Sequence, residues 1–363
     1  MKLESLKLRN FRCFADLLIN FDERLTVLVG RNGSGKTAVL DALAYYLEKI
    51  CLGFTSLLEQ VSLGHIPEAT LLSMKNSDIL NDENDMGLRV QLKSSFDDNA
   101  PITPNFELLF VRNIFGDIAK DLDKQNYVDF IRSVTRFCEI RKNETSEVGL
   151  PILVYYQSKR AIPQIKSIFE DHKKIDLETA FINAFSREID LNNALDWFSV
   201  QDAKEARIVR DEDHDYRIPE LETVRQAIVM VLGSYESPRI SQSGFVVSKK
   251  GSKDAYTLEQ LSEGHQIMLA LSLDLARRMA AANSRVAWGE GQTVLHSQAI
   301  VLIDEIELHL HPSWQQTVLP TLLRIFPNAQ FIVTTHSPQI LTSIEPRHIR
   351  ILQNGQVWRT DSS

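Results

Sequence analysis

The sequence has few cysteines and no long apolar run. Its three cysteines, Cys13, Cys51 and Cys138, show no CxxC pairing among 363 residues. That scarcity argues against a disulfide framework and against a cysteine-based zinc site. No apolar stretch approaches the roughly 18 residues of a membrane span, and the charged N-terminus carries no apolar signal segment. We therefore expect a cytoplasmic protein with reduced cysteines and no membrane partner.

An excess of basic residues is also absent. The 40 Lys and Arg residues are outnumbered by 48 Asp and Glu residues, and the net charge is −8. Because binding along nucleic acid relies on clustered Lys and Arg, a DNA-coating surface is disfavoured. A local groove for DNA or RNA stays open. The basic residues that would line it, or else form a solvated face, are Lys159, Arg160, Lys166, Lys173 and Lys174.

A glycine-rich loop lies between a predicted strand and a predicted helix. It follows the apolar run from Leu25 to Val29, and apolar residues with helical spacing come after it. In the P-loop pattern GxxxxGK[ST], backbone N–H groups surround a triphosphate at the start of a helix. We expect Lys36 to reach the β and γ oxygens and Thr37 to hold Mg²⁺. The predicted site for ATP or GTP consists of Gly30, Arg31, Asn32, Gly33, Ser34, Gly35, Lys36 and Thr37.

A pair of acidic residues follows a second apolar run. The run from Ala299 to Ile303 is unbroken, as in a parallel strand buried on both faces, and it ends in Asp304 and Glu305. This is a Walker B arrangement, in which Asp304 would hold Mg²⁺ through water and Glu305 would orient and deprotonate the attacking water. A core strand with an acidic end is the structural alternative. It explains less in a chain that also carries a P-loop.

The string Leu-Ser-Glu-Gly-His-Gln at residues 261–266 precedes another helical pattern. Ser262 is a good N-cap residue, and Gly264 permits close approach of a ligand. Placed between the two Walker motifs, this string makes the chain resemble the ABC-type ATPases. The resemblance implies an α/β P-loop NTPase fold, with a mixed β-sheet lobe and a helical signature lobe. It also implies a head-to-tail homodimer in which Ser262 and Gly264 of one protomer cap the ATP held by the other.

Two further residues receive roles from the same resemblance. His336 ends the apolar strand that begins at Gln330, which looks like the switch-histidine strand that senses the γ-phosphate. The alternative is a structural histidine at a strand end. Gln157 follows the run from Leu153 to Tyr156 and is the candidate for the Q-loop ligand of Mg²⁺, unless it is simply an aromatic strand end.

The N-terminus points to one branch of this superfamily. Residues 1–10 largely alternate apolar and polar side chains, as an edge strand would. The following Phe11 and Arg12 resemble the opening of RecF-type and SMC-type heads, where the arginine contacts nucleotide phosphate; a solvated turn arginine is the alternative. Residues 304–312 are similar to those of the ATPases of overcoming-lysogeny-defect proteins and of the PtuA ATPases of Septu and retron anti-phage systems. No heptad run between the Walker A and signature motifs predicts a long coiled-coil arm.

These motifs lead to expectations about domains and function. We expect a nucleotide-binding lobe at residues 1–100 and 285–363 and a mainly helical lobe at residues 101–284. The resemblance implies a switch ATPase that controls a partner effector, with a nuclease in an anti-phage system as the leading candidate. The chain stops at Ser363, soon after the histidine strand, so we expect the nuclease to be a separate HNH-type subunit, with a dimer or a higher oligomer of the ATPase. A RecF-like repair ATPase acting on DNA is the alternative, and a transporter cassette is disfavoured.

Overall fold

A computed structural model describes residues 1–59, 87–95, 106–113, 149–158, 177–186, 189 and 191–360. The strands in these ranges are β1 (Lys2–Phe11), β2 (Phe14–Asn20), β3 (Leu25–Val29), β4 (Gly87–Ser95), β5 (Phe106–Asn113), β6 (Ile152–Tyr156), β7 (Tyr235–Ser241), β8 (Gly244–Lys249), β9 (Ala255–Thr257), β10 (Ala299–Ile303), β11 (Ala329–Thr335), β12 (Ile349–Gln353) and β13 (Gln356–Arg359).

The α-helices in the same ranges are α1 (Lys36–Glu59), α2 (Leu191–Asp211), α3 (Pro219–Leu232), α4 (Glu263–Asn283), α5 (Pro312–Gln315), α6 (Val318–Ile325) and α7 (Pro338–Leu341). Short 3₁₀ helices lie at Leu177–Ala180, Leu258–Gln260, Val294–His296 and Pro346–His348. None of the helices in the described ranges has both the length and the apolar character needed to cross a membrane.

The central sheet has the strand order β13-β12-β3-β11-β10-β6. All of its neighbouring strands run parallel except β12 and β13. Every residue of β3, β6, β10 and β11 is buried, as expected for apolar strands covered on both faces. The α/β architecture predicted from the two Walker motifs is therefore confirmed.

A second sheet is antiparallel, with the order β2-β1-β4-β5. The alternation of β1 is reflected in its burial, since Leu6 and Leu8 are buried and Lys7 is not. The expectation that β1 is an edge strand is wrong, because β1 lies between β2 and β4. β4 comes from a part of the chain far from β1, and local alternation carries no information about such a pairing.

Several strands fall within residues 101–284, the range expected to be mainly helical. β5 extends the antiparallel sheet, and β6 joins the central sheet beside β10. A third sheet, β7-β8-β9, also lies within this range. The division into lobes at residues 100 and 285 stays a prediction. The central sheet nevertheless takes one of its strands from the middle segment.

Helix α4 is buried on all sides, since the buried residues run almost without a break from Ile267 to Asn283. It packs on β6 and on α3. The apolar face expected from Met268, Leu271, Leu275 and Met279 is buried. Helix α1 also packs on β6. The two helices that begin at the P-loop and at the signature string therefore share one strand as a neighbour.

Candidate nucleotide-binding and hydrolysis site

The carboxyl ends of four parallel strands meet at one edge of the central sheet. Gly30 follows β3, Gln157 follows β6, Asp304 follows β10 and His336 follows β11. The register brings these ends close together, because Ile303, the last residue of β10, pairs with Tyr156, the last residue of β6, and with Val333, two residues before the end of β11. Ligands of open α/β sheets bind outside this edge. The fold therefore brings together the predicted P-loop, Walker B, Q-loop and switch residues.

The P-loop backbone requires glycine at three of its positions. Gly33 and Gly35 have φ angles of 78° and 93°, in the left-handed region. A Cβ atom at Gly35 would lie 2.3 Å from Cζ of Phe14, and one at Gly30 would lie 2.4 Å from the carbonyl oxygen of Leu352. Side chains at positions 30 and 35 would therefore displace the loop. Arg31 and Asn32 lie exposed at its outer rim, and Ser34 is half-buried.

Lys36 begins α1 and turns back into the loop. Its Nζ donates to the carbonyl oxygens of Gly30 and Arg31 over 3.0 and 3.1 Å, and its side chain is 6% exposed. Burial lowers the pKa of Lys36, and nearby carboxylates, Asp304 most strongly, oppose that shift. Among the described groups, this buried ammonium donates its hydrogen bonds to neutral carbonyls, and it is well placed to exchange them for phosphate oxygens.

Asp304 is held by hydroxyl groups from two elements. Thr37 Oγ1 donates to its Oδ2 over 3.0 Å, and Thr334 Oγ1 of β11 donates to its Oδ1 over 2.6 Å. The carboxylate is almost fully buried, at 1% exposure. Hard oxygen donors such as the Thr37 hydroxyl and the Asp304 carboxylate are the ligands that Mg²⁺ prefers, so the residues present fit this ion.

Glu305 follows at a point of unusual backbone geometry. Its φ is 48°, a value that is uncommon for a residue with a side chain and persists where the surroundings enforce it. Two hydrogen bonds to Thr334 hold the backbone in this conformation. Glu305 N donates to Thr334 Oγ1 over 2.7 Å, and Ile306 N donates to the Thr334 carbonyl over 3.1 Å. Glu305 is half-buried at the sheet edge. Its role as the general base stays a prediction.

His336 is exposed, while the backbone around it is tied down. Its N–H donates to Oε1 of Glu307 over 2.6 Å. The next residue, Ser337, accepts bonds from Gln339 N and Ile340 N as the N-cap of α7, and its hydroxyl donates to Oε1 of Gln315 over 2.6 Å. The imidazole thus extends from a rigid turn, as a sensor of a phosphate group requires. This role, too, stays a prediction.

Gln157 lies directly beside Asp304, because Asp304 N donates to the carbonyl of Tyr156 over 2.9 Å. Its side-chain Nε2 donates to the carbonyl of Phe185 at the long distance of 3.5 Å. Gln157 therefore lies at the same sheet edge as Asp304. The Mg²⁺ ligand role remains a prediction.

Arg12 is ion-paired, unlike a solvated turn arginine. It occupies the β1–β2 turn with a φ of 48°, and its Nη1 lies 2.7 Å from Oδ2 of Asp41. The guanidinium carbon also lies 5.3 Å from the ring centroid of Phe11. Asp41 is one helical turn beyond Thr37 on α1, so Arg12 is fixed beside the helix that begins at the P-loop. Its contact with nucleotide phosphate stays a prediction.

The signature string forms the N-terminus of α4, with Ser262 in the N-cap conformation at φ −63° and ψ 154°. Among the described groups, its hydroxyl makes no capping bond to the helix; instead Oγ lies 2.6 Å from Nδ1 of His265. A Cβ atom on the buried Gly264 would meet Trp314 at 3.7 Å and the His309 carbonyl at 3.9 Å, which are ordinary contact distances. Packing among the residues that the structure describes therefore does not require glycine at position 264.

A family model agrees with this geometry. Residues 25–342 match the family described as "AAA domain, putative AbiEii toxin, Type IV TA system". The chain belongs to this family. It is an ATPase with the ABC-type head of the RecF and SMC class, as its motifs predicted.

Individual relatives of this AAA-domain ATPase come from two named systems. The "Retron Ec83 probable ATPase" of Escherichia coli is 27% identical, over 99% of this chain and 73% of its own length. The "Retron Vc95 probable ATPase" of Vibrio cholerae serotype O1 biovar El Tor is 24% identical, over 97% of this chain and 73% of its own length. The "Septu protein PtuA" of Bacillus mycoides is 37% identical over 27% of this chain and 13% of its own length.

The fold of this AAA-domain ATPase has a counterpart among solved structures. The SMC head domain from Thermotoga maritima covers 100% of both chains with a TM-score of 0.51 and 17% identity. This likeness concerns the fold.

Thr334 is the residue of this AAA-domain site that sequence reasoning missed. It lies two residues before His336, and its hydroxyl bonds both to the Asp304 carboxylate and to the Glu305 backbone. Because Ile303 pairs with Val333, the residues after them are neighbours across the two strands. The signal was available in the sequence, since aligning the ends of the two apolar strands would have placed Thr334 beside Asp304.

Proposed function

We propose that this ATPase is a two-protomer switch that closes head to tail around two ATP molecules. Hydrolysis, or loss of ATP, opens the pair and changes the state of a bound effector. The observation that carries this proposal is the N-terminus of α4. Ser262 is exposed there, and its hydroxyl makes no capping hydrogen bond to the helix. Gly264, two residues further on, has no packing reason among the described residues to be glycine.

The chemistry of hydrolysis supports a composite site. Charge spreads over the γ-phosphate oxygens in the transition state, so donors are needed around the whole group. The sheet edge offers Lys36 and His336 from one side. A long helix directs unpaired backbone N–H groups and its positive dipole end from its N-terminus, which makes α4 a suitable donor for the opposite side. When bound, Mg²⁺ would neutralise phosphate charge between Thr37 and Asp304.

The effector is proposed from the relatives and from the motifs. The long matches are retron ATPases and the PtuA match is a Septu protein, systems that the motifs also resemble. We assign to the effector the role of a nuclease, carried by a separate HNH-type subunit in anti-phage defence. The basic residues that were candidates for nucleic-acid contact, residues 159–174, lie outside the described residues.

The composite site is tested by mixing two inactive variants. Ser262→Arg places a bulky cation at the α4 N-terminus, and Lys36→Ala removes the phosphate-binding ammonium. In a mixed dimer, one site combines a wild-type P-loop with a wild-type signature string. We expect each variant alone to be inactive in ATP hydrolysis and the mixture to recover part of the activity. The matched control is a mixture of two differently tagged preparations of the Ser262→Arg variant, in which no wild-type signature string is present.

Failure to recover activity, although mixed dimers are isolated through two different tags, would contradict sites shared between protomers. The effector is tested separately, by purifying the tagged chain from its native host and assaying the complex for nuclease activity with ATP and with a non-hydrolysable analogue. Nuclease activity that is the same with ATP and with the non-hydrolysable analogue would contradict the proposal that the ATPase acts as a switch. Hydrolysis stimulated by DNA alone would favour a repair ATPase instead.

A further inference from the structure

The hydroxyl of Ser262 has a partner one turn further along the chain. Its Oγ lies 2.6 Å from Nδ1 of His265. The imidazole is held between two aromatic rings, with its centroid 5.4 Å from that of Tyr235 and 4.8 Å from that of Trp314, both in edge-on geometry. A side chain fixed on both sides in this way presents its nitrogen at one place. The Ser262 hydroxyl is therefore oriented by His265.

The segment that fixes the ring is itself anchored at the sheet edge. Trp314 lies on α5, and the next residue, Gln315, accepts the hydroxyl bond of Ser337 and donates to the carbonyl of Leu310 over 2.8 Å. Ser337 follows His336 directly. The segment that packs on the His265 ring is thus hydrogen-bonded to the turn that carries His336.

The imidazole suits a hydroxyl that must point at an anion. A neutral ring either accepts or donates at Nδ1, depending on its tautomer. When Nδ1–H donates to Ser262 Oγ, the hydroxyl proton is left to donate elsewhere. Within the described part of the chain, the groups that contact the ring are Ser262, Tyr235 of β7 and Trp314 of α5. Burial lowers the pKa of His265 and so favours the neutral ring.

We propose that His265 is a positioning residue of the ATPase: it holds Ser262 Oγ through Nδ1, so that the hydroxyl proton is presented outward to the γ-phosphate bound in the partner's P-loop. This inference rests on the composite site proposed above. His265 acts through Ser262 and does not touch the nucleotide. Its contribution is the orientation of one donor.

Four variants test the assignment by steady-state ATP turnover. His265→Phe keeps a ring between Tyr235 and Trp314 but removes Nδ1. His265→Asn restores an amide nitrogen at the same distance from the backbone. Ser262→Ala removes the hydroxyl, and the double variant Ser262→Ala/His265→Phe removes both groups. Thermal unfolding and binding of a fluorescent ATP analogue show that each variant is folded with an intact P-loop.

We expect His265→Phe to lower turnover about tenfold, the value of one hydrogen bond to a charged group. His265→Asn should recover most of the loss. The double variant should be no slower than Ser262→Ala, because the ring has nothing to orient once the hydroxyl is gone.

Three results would overturn the role of His265 while leaving the composite site standing. They are wild-type turnover in His265→Phe beside an impaired Ser262→Ala, an Asn variant as slow as the Phe variant, and additive losses in the double variant. Wild-type turnover in Ser262→Ala has a different meaning, since it would remove Ser262 itself from the proposed site.

Discussion

The hydroxyl of Tyr156 donates a hydrogen bond of 2.8 Å to Oδ2 of Asp274, a fully buried carboxylate on α4. Its neighbour Tyr155 donates over 2.9 Å to Oδ1 of Asp41 on α1. Successive side chains of a strand point to opposite faces, so β6 is bonded to α4 on one face and to α1 on the other. These are the helices that begin at the signature string and at the P-loop. Two adjacent tyrosines therefore connect the helix that begins at the P-loop with the helix that begins at the signature string.

Replacement of Asp274 should destabilise the fold. Its carboxylate lies 2.9 Å from Nη2 of Arg277 and 2.8 Å from Nε of Arg278, and both arginines are buried. Asp274→Asn keeps the shape but leaves two buried cations without a counter-charge, so we expect the free energy of unfolding to fall by about 3 kcal/mol or more. Tyr156→Phe, the matched control, should cost about 1 to 3 kcal/mol. Denaturant unfolding measures both, and equal losses would contradict the ion-pair account.

The same carboxylate predicts a dependence on pH. Burial alone would raise the pKa of Asp274, but Arg278 and Arg277 outweigh it and hold the pKa below its usual value. A carboxyl group with a lower pKa in the folded state stabilises the protein above its unfolded pKa, and this stabilisation is lost as the pH falls through the folded value. The stability difference between wild type and Asp274→Asn should therefore be constant from pH 7 to 5 and shrink below about pH 4. A difference that stays constant at lower pH would argue against this shift.

Thr334 should be required for efficient hydrolysis. Its hydroxyl donates to Asp304 and accepts from the Glu305 backbone, so Thr334→Val breaks both bonds while keeping the volume. We expect about tenfold slower ATP turnover, since a lost bond to a charged group costs roughly 1.5 kcal/mol. Thr334→Ser keeps the hydroxyl and serves as the control. A serine variant as slow as the valine variant would show that the methyl group matters instead.

The residues predictable from the sequence are those whose partners are close in the chain. The P-loop, the Walker B pair and the apolar face of α4 each follow from short-range patterns. The apolar face of α4 is buried as expected, and the two Walker motifs lie at one edge of the central sheet, while their roles stay predictions. The position of β1 inside its sheet and the pairing of Tyr156 with Asp274 depend on segments that meet only after folding. Local periodicity carries no information about such pairings. The run from Leu153 to Tyr156 marks Gln157 in the sequence, but its place beside β10 in the central sheet does not follow from that run.

Removal of the P-loop ammonium should abolish nucleotide binding. Lys36 is the buried cation of the loop, and Lys36→Ala leaves the loop itself with backbone N–H groups and no charged donor at this position. The loss of two bonds to charged oxygens predicts an affinity at least about a hundredfold lower. Titration with a fluorescent ATP analogue measures this, with the exposed Lys253→Ala as the control. Near wild-type affinity in Lys36→Ala would place the nucleotide elsewhere.

Glu305→Gln should separate nucleotide binding from hydrolysis. The amide cannot accept the proton of the attacking water, while Asp304 keeps its bonds to Thr37 and Thr334, so ATP should still bind. General base catalysis is worth about a hundredfold or more, and turnover should fall by at least that factor. Because the variant does not hydrolyse the ATP that holds the dimer closed, it should accumulate as an ATP-dependent dimer or larger assembly in size-exclusion chromatography.

Glu290→Gln, at an exposed loop position, is the control for the loss of one charge. If Glu305→Gln hydrolyses ATP at the wild-type rate, another group activates the water, and Glu307, whose Oε1 already holds the backbone of His336, becomes the next residue to replace.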